Sequence, residues 1–138
     1  SPLPERLRAM KKNAVKLPQY AMFSDDFRDG VKGSVFEDEE CGYVNGNASE
    51  LSEMMKSVIS GGIYRMDVQR KRSECWTDTP QQVVNYVEAH DNLTLFDKLR
   101  ISMPEASGQE RVSVDKLAAC VSFGGNSFHA GRAGDTAQ

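Results

Sequence analysis

The chain has 138 residues, a length that fits one domain of ordinary size. Charged residues make up 27% of it and the net charge is −3 at pH 7, so charge-driven disorder is excluded, as is a general attraction to phosphate backbones or anionic membranes. No apolar run approaches the roughly 20 residues that span a bilayer. We therefore expect neither a nucleic acid nor a membrane as a partner.

Short elements are predicted over the first quarter of the chain. Residues 4–13 are a charged helix candidate that begins with a proline, and Pro18 ends it. The apolar run 20–23 predicts a buried strand. The segment 25–30 is rich in Asp and Gly and predicts a loop, in which Arg28 makes an ion pair or a cap with its acidic neighbours.

The clearest helical pattern covers residues 48–60. Asn47 suits the N-cap, and Glu50 at the third helical position completes a variant of the capping box. Gly61-Gly62 predicts the end of the helix. The apolar side chains recur with helical spacing and form one stripe, which consists of Leu51, Met54, Met55, Val58 and Ile59.

The second half of the chain predicts a strand over 83–91, whose continuous apolar start is typical of a strand covered on both faces. Helices are predicted over 94–100 and 107–121, the second ended by the glycines 124–125, and a further short strand is predicted over 127–130. The alternation of strands and helices predicts an α/β fold with a parallel sheet.

His90, Asp91 and Asn92 lie where the predicted strand ends. Function in α/β folds collects at the carboxyl ends of strands. A carboxylate accepts paired hydrogen bonds from hydroxyl groups and an imidazole donates or accepts one, so this pattern suits a polyhydroxylated ligand. The alternative is that Asp91 or Asn92 caps the following helix, and spacing alone favours the cap, because three-residue motifs are common by chance.

A second acidic cluster, Asp25, Asp26 and Asp29, follows the first predicted strand. Such a cluster could bind calcium, but its spacing does not match an EF-hand, and pairing with Arg28 is the preferred interpretation. No cofactor motif is present, and no metal site is expected from the cysteines, which form no C-x-x-C pair. They are Cys41, Cys75 and Cys120.

The stretch 81–99, QQVVNYVEAHDNLTLFDKL, resembles the region around the seventh barrel strand of type I pullulanases. These are debranching enzymes of the α-amylase clan of glycoside hydrolases. The resemblance runs from about Lys11 to Gly131. The other similar stretches, in the same order as in the family, are 13–18, 22–36 and 42–46 around the sixth strand and 110–119 before the eighth.

The resemblance implies a partial (β/α)8 TIM barrel, from after strand five to the start of strand eight, because the whole barrel needs about 250 residues. Residues 1–138 would then be an incomplete domain, the C-terminal half of the catalytic barrel. The resemblance also implies that Asp91 is a catalytic carboxylate that stabilises the transition state and that His90 and Asn92 bind substrate. The nucleophile and the acid/base residue are expected upstream of Ser1.

The function implied by the resemblance is retaining hydrolysis of α-1,6-glucosidic branch links in pullulan, amylopectin or glycogen. The expected partner is an α-glucan polysaccharide or branched oligosaccharide, and the chain alone is expected to be inactive. Two alternatives stay open: another enzyme of the clan, an isoamylase or a branching enzyme, and a non-catalytic carbohydrate-binding or interaction module. Localisation, cytoplasmic or secreted, is left open.

Overall fold

The computed structural model describes residues 2–63 and 75–130, with side chains up to Gly124. Over these residues the fold is mostly helical, with one small parallel sheet. Its two strands are β1, Met22–Phe23, and β2, Val83–Val84. The described residues form four α-helices: α1, Asp25–Lys32; α2, Ala48–Ile59; α3, Leu95–Ser102; and α4, Gly108–Ala130.

The beginning of the chain forms two 3-10 turns, Glu5–Leu7 and Lys11–Lys16, so the prediction of one helix over 4–13 is wrong. The backbone between the turns is extended at Arg8. The amide of the buried Asn13 donates hydrogen bonds to the carbonyl oxygens of Glu5, at 2.9 Å, and of Arg8, at 2.8 Å. These carbonyl groups are therefore satisfied without a continuous helix.

The sheet is parallel, with Met22 opposite Val83 and Phe23 opposite Val84. The two predicted strands exist, but each has only two residues. Phe23 is 61% exposed, so the prediction that the first strand is buried is wrong for this side chain. Its ring meets that of Tyr86 edge-on at 5.0 Å between centroids. The described residues thus show two neighbouring parallel strands and do not confirm a partial barrel.

Helix α1 occupies the segment that its Asp and Gly content predicts to be a loop, and that prediction is wrong. The Ser24 hydroxyl accepts a hydrogen bond of 3.2 Å from the backbone N–H of Phe27, which caps the helix. Asp25 lies in the first turn, where the helix dipole favours negative charge. Phe27 and Val31, one turn apart, are fully buried, so the helix is held by its apolar face.

Helix α2 confirms the clearest sequence pattern. Asn47 is the N-cap residue, but its side chain makes no capping hydrogen bond, so the predicted capping box with Glu50 is wrong. Gly61 and Gly62 adopt φ angles of +94° and +64°, and their N–H groups bond the carbonyl oxygens of Val58 and Ser57. Such a left-handed glycine ending satisfies carbonyl groups that the helix itself leaves unpaired.

The two C-terminal helices begin where the sequence predicts. The hydroxyl of Thr94 caps α3 by accepting from the N–H of Asp97 at 3.2 Å. Ser107 and Glu110 form a reciprocal capping box at the start of α4. The helices enclose one apolar core, whose fully buried members are Phe27, Val31, Met55, Val58, Leu95, Leu99 and Ala118.

Two predictions fail at the end of α4. The helix continues past the glycines at 124–125 and includes 127–130, where a strand was predicted. Gly124 does not have the positive φ that a helix-ending glycine adopts. A strand needs a neighbour for its backbone hydrogen bonds, whereas a helix satisfies them within the segment. The helix is the conformation this segment can form without a partner strand.

Candidate functional site

The carboxyl ends of β1 and β2 meet at one edge of the sheet, because the strands are parallel. The N–H of Ser24 donates a hydrogen bond of 2.9 Å to the carbonyl oxygen of Val84, which keeps the two chain segments together just beyond the strands. Helix α1 follows directly after β1, and Asn85 and Tyr86 follow β2. Polar side chains from both segments therefore gather here.

Arg28 is the centre of these polar contacts. It is 8% exposed. Its Nη1 donates to the Tyr86 hydroxyl at 2.7 Å and to Asp25 Oδ1 at 3.2 Å, and its other nitrogens hold both oxygens of Asp29, at 2.6 and 3.0 Å. The Tyr86 hydroxyl donates to Asp25 Oδ1 at 3.0 Å. This confirms that Arg28 pairs with its acidic neighbours; we call the four residues the Arg28 cluster.

The charges in the Arg28 cluster stabilise one another. Burial raises the pKa of Asp25, but hydrogen bonds from Lys11 and Tyr86 and the charges of Lys11 and Arg28 outweigh it, so this pKa lies below its ordinary value. Burial and the hydrogen bond to Asp25 raise the pKa of Tyr86. At neutral pH Asp25 is therefore ionised and Tyr86 is neutral, and both lie beside the guanidinium of Arg28.

His90, Asp91 and Asn92 form a turn between β2 and α3. His90 and Asp91 are exposed, and Asn92 is half-buried. The Asn92 amide donates a hydrogen bond of 3.1 Å to Asp91 Oδ1. The three predicted site residues, which are consecutive in the chain, thus lie on one turn, and the carboxylate of Asp91 is open to solvent.

The capping alternative for these residues is not what the structure shows. Helix α3 is capped by Thr94, and the N–H of Leu95 donates to Glu88 Oε2 at 2.7 Å. Neither Asp91 nor Asn92 accepts a hydrogen bond from the first turn of α3. Their polar atoms are therefore not committed to the helix, although spacing alone favoured that role.

A small cavity lies beside the turn. Asn92 lines it together with residues of α1, of the segment after α1 and of α3. The cavity is partly open and has room for about one water molecule. Its lining residues are Lys32, Val35, Asp38, Asn92, Leu93 and Lys98.

The two lysines of the cavity differ in their partners. Lys98 is 2% exposed, and its ammonium donates to the carbonyl oxygens of Ser34, at 2.9 Å, and Glu37, at 2.6 Å. Lys32 is 1% exposed, and its ammonium makes no hydrogen bond or close ion pair with another described residue, although the charges of Glu88 and Asp29 act on it from a greater distance. Burial lowers the pKa of both lysines, because the charged form loses its hydration.

Sequence reasoning missed the cavity residues Lys32 and Asp38 and the hydrogen bonds of the Tyr86 hydroxyl. A lysine near the end of an amphipathic helix is usually solvated, so nothing in the local pattern of Lys32 indicates burial. Tyr86 lies inside the apolar run of the second predicted strand, and the hydrogen bonds of its hydroxyl were not predicted. A polar tyrosine in an apolar run, four residues before His90, was the sequence feature that could have indicated a contact near the site. The side-chain amide of Asn85, one residue earlier, is buried and has no partner among the described residues.

The described residues offer neither a metal-binding cluster nor a membrane-spanning helix. The described residues contain no group of three or more His, Cys, Asp or Glu side chains that could hold a metal ion. No disulfide joins any of the three cysteines within the described residues. No helix in the described ranges has the length and apolarity needed to cross a membrane.

Known proteins resemble this chain over most of its length. No protein-family model matches it. It is 31% identical over 121 residues to a pullulanase of Bacillus subtilis, a match that covers 88% of this chain and 16% of that protein. The chain thus spans about a sixth of the length of this relative.

Solved structures agree with the sequence comparison. The type I pullulanase of Bacillus subtilis complexed with maltose has a TM-score of 0.78 at 31% identity, covering 88% of this chain and 16% of that one. The pullulanase of Paenibacillus barengoltzii in complex with maltohexaose and alpha-cyclodextrin has a TM-score of 0.77 at 39% identity, covering 87% and 18%. The fold of the described residues is therefore that of one segment of these proteins.

Proposed function

We propose, on the premise that this chain is homologous to type I pullulanases over 88% of its length, that it is part of a pullulanase-like glycoside hydrolase. In this proposal residues 1–138 belong to the C-terminal half of a (β/α)8 catalytic barrel. The two parallel strands and the helices between them are compatible with consecutive units of such a barrel. The longer protein would supply the other strands.

The proposed reaction is hydrolysis of α-1,6-glucosidic links in a branched α-glucan with retention of configuration. In that chemistry one carboxylate forms a covalent glycosyl-enzyme intermediate and a second transfers the proton. We assign neither role to a residue of this chain. The proposed substrates are pullulan, amylopectin or glycogen; support comes from the maltose and maltohexaose complexes of the two pullulanases described above.

Asp91 is the proposed stabiliser of the transition state. Its carboxylate is exposed beyond the carboxyl end of β2, and Asn92 orients one of its oxygens through the 3.1 Å hydrogen bond. A fixed negative charge there favours the positive charge that develops on the sugar ring. The observation that carries the proposal is that the turn 90–92 makes no capping contact with α3 and leaves these side chains available to a ligand.

His90 and Asn92 are the proposed substrate-binding residues on either side of Asp91. An imidazole and an amide both donate and accept hydrogen bonds, which suits the hydroxyl groups of a glucan. His90 is exposed and Asn92 half-buried, so a sugar could reach both from the open side of the turn. In this arrangement the pair holds the substrate while Asp91 acts on its charge.

The test is the Asp91→Asn variant of the full-length protein, assayed by release of reducing ends from pullulan. We expect turnover to fall by about a thousandfold, because the amide is nearly isosteric but carries no charge. Asp115→Asn on α4 is the matched control and should keep normal turnover. Turnover of Asp91→Asn close to wild type would remove the catalytic assignment, and a parent protein that cleaves amylopectin but not pullulan would correct the substrate.

A further inference from the structure

We propose that Lys32 binds substrate: the cavity between α1 and the turn before α3 receives one hydroxyl group of the α-glucan, which accepts a hydrogen bond from the Lys32 ammonium. The inference rests on the proposed function and adds to it a residue that lies 58 positions before His90 in the chain. Three features of the described residues carry it: an unpaired buried charge, the chemistry of the cavity lining, and the position of the cavity next to Asp91.

The unpaired charge is the first feature. An ammonium removed from water without a partner loses several kcal/mol of hydration in order-of-magnitude terms, so buried charges are normally paired. Arg28 and Lys98, the other deeply buried cations of the described residues, follow this rule through the Arg28 cluster and through two backbone carbonyl groups. Lys32 has only the more distant charges of Glu88 and Asp29 and no hydrogen bond within the described residues, and it lines a cavity. An acceptor that enters the cavity would supply the missing partner.

The lining of the cavity decides what that acceptor is. An anion would meet the carboxylate of Asp38, and a cation would meet the ammonium groups of Lys32 and Lys98. A hydroxyl group accepts from an ammonium and donates to a carboxylate or an amide oxygen, so it satisfies both kinds of lining residue. Val35 and Leu93 complete the wall with apolar surface.

The size of the cavity limits the ligand to one group. It has room for about one water molecule, which is the space that a hydroxyl oxygen needs. The sugar ring itself would stay outside, on the open side of the cavity, while one of its hydroxyl groups replaces the water. A sugar hydroxyl that makes the same hydrogen bonds as a water in this position could replace the water without loss of those bonds.

The position of the cavity links it to the proposed site. Asn92 both lines the cavity and donates its 3.1 Å hydrogen bond to Asp91. A glucosyl unit whose hydroxyl occupies the cavity would therefore lie beside the turn that carries the proposed catalytic carboxylate. Lys32 would hold the glucan next to the cleaved bond without taking part in the chemistry.

The test compares Lys32→Met with Lys56→Met in the full-length protein. Methionine keeps most of the length of the side chain and removes the charge; Lys56 is an exposed residue of α2. We expect KM for pullulan to rise about tenfold in Lys32→Met with a smaller change in kcat, since a ground-state contact is lost. Lys56→Met should leave both constants unchanged. An unchanged KM in Lys32→Met would overturn the inference and leave the cavity to water.

A binding measurement separates this inference from the proposed function. The Asp91→Asn protein is expected to bind maltotetraose without turnover. Adding Lys32→Met to it should raise the dissociation constant of maltotetraose about tenfold. If Asp91→Asn is inactive and its affinity for maltotetraose is the same with and without Lys32→Met, only the role of Lys32 is overturned. An Asp91→Asn protein with full turnover would overturn the proposed function itself.

Urea denaturation of Lys32→Met should show an unfolding midpoint at or above that of wild type, because an unpaired buried charge is removed.

Discussion

The guanidinium of Arg28 donates a hydrogen bond of 2.7 Å to the hydroxyl of Tyr86, a residue 58 positions later in the chain. The same hydroxyl donates to Asp25 Oδ1 at 3.0 Å. One phenol oxygen thus joins the first turns of α1 to the segment after β2. Tyr86 precedes the proposed site residues by only four positions, so this contact fixes the start of the segment that carries them.

Tyr86→Phe removes only the hydroxyl that bridges Arg28 and Asp25. The ring contacts with Phe23 and the guanidinium, at 5.0 and 5.6 Å between the groups, should persist. We expect the free energy of unfolding to fall by about 1–2 kcal/mol, the usual cost of losing hydrogen bonds to charged groups that are partly buried. Urea denaturation followed by fluorescence measures it. Tyr20→Phe is the control at an exposed tyrosine and should change stability by less than about 0.5 kcal/mol; equal effects at both positions would show that the bridge contributes nothing.

A second prediction concerns Gln82, which connects β2 to the N-terminal segment. This side chain is 3% exposed; its Nε2 donates to the carbonyl oxygens of Ala14, at 2.8 Å, and Leu17, at 2.9 Å, and its Oε1 accepts from Thr77 at 2.7 Å. Gln82→Met keeps the shape but leaves these groups unpaired, so we expect a loss of about 2–3 kcal/mol in unfolding free energy.

The neighbouring Gln81 provides the matched control for Gln82. It has the same side chain but is exposed, so Gln81→Met should leave the urea midpoint almost unchanged. Limited proteolysis should also cut the first 17 residues faster in Gln82→Met than in Gln81→Met, because the contact that holds them is lost. Identical midpoints and identical cleavage rates in the two variants would contradict the role of Gln82 as the connection.

The helices that sequence reasoning placed correctly are those with a local signal. Asn47 and the apolar stripe define α2, and Thr94 and Leu95 begin α3, since capping and 3.6-residue spacing are properties of neighbouring residues. Helix α1 was missed because six of its eight residues, DDFRDGVK, are Asp, Arg, Lys or Gly and show no obvious apolar stripe. What selects the helix is the burial of Phe27 and Val31. Tertiary packing overrides local propensity there.

The candidate site likewise has a part that the sequence predicts and a part that it does not. The turn 90–92 could be located from its position after an apolar run, and Arg28 could be paired with its acidic neighbours from their spacing in the chain. The cavity could not be located, because it joins Lys32 to Asn92, residues 60 positions apart that meet only when α1 and α3 pack together. Contacts of this kind depend on the whole fold, and no short motif encodes them.

The third prediction is a loss of stability in acid that depends on Asp25. Its folded pKa lies below the ordinary value of 3.8, so the ionised carboxylate favours the folded state. This contribution is complete above the unfolded pKa of about 4 and is lost as the pH falls through the folded value. Urea midpoints of wild type and Asp25→Asn, measured from pH 6 down to pH 2, should therefore converge below pH 4. Parallel curves over the whole range would show that Asp25 makes no pH-dependent contribution.

The last prediction tests whether α4 continues through the glycines that suggested its end. A side-chain carbon added to Gly124 would meet no atom within 4 Å, and the residue lacks the positive φ of a helix-ending glycine. Gly124→Ala should therefore stabilise the protein by about 0.5–1 kcal/mol, because alanine has the lower conformational entropy cost in a helix interior. Gly61→Ala is the opposite control: its φ is +94° and an added carbon would lie 2.6 Å from Pro80 Cβ, so it should destabilise. Both unfolding midpoints can be measured by circular dichroism at 222 nm, and a Gly124→Ala protein that loses stability as Gly61→Ala does would mean that the helix ends at 124 after all.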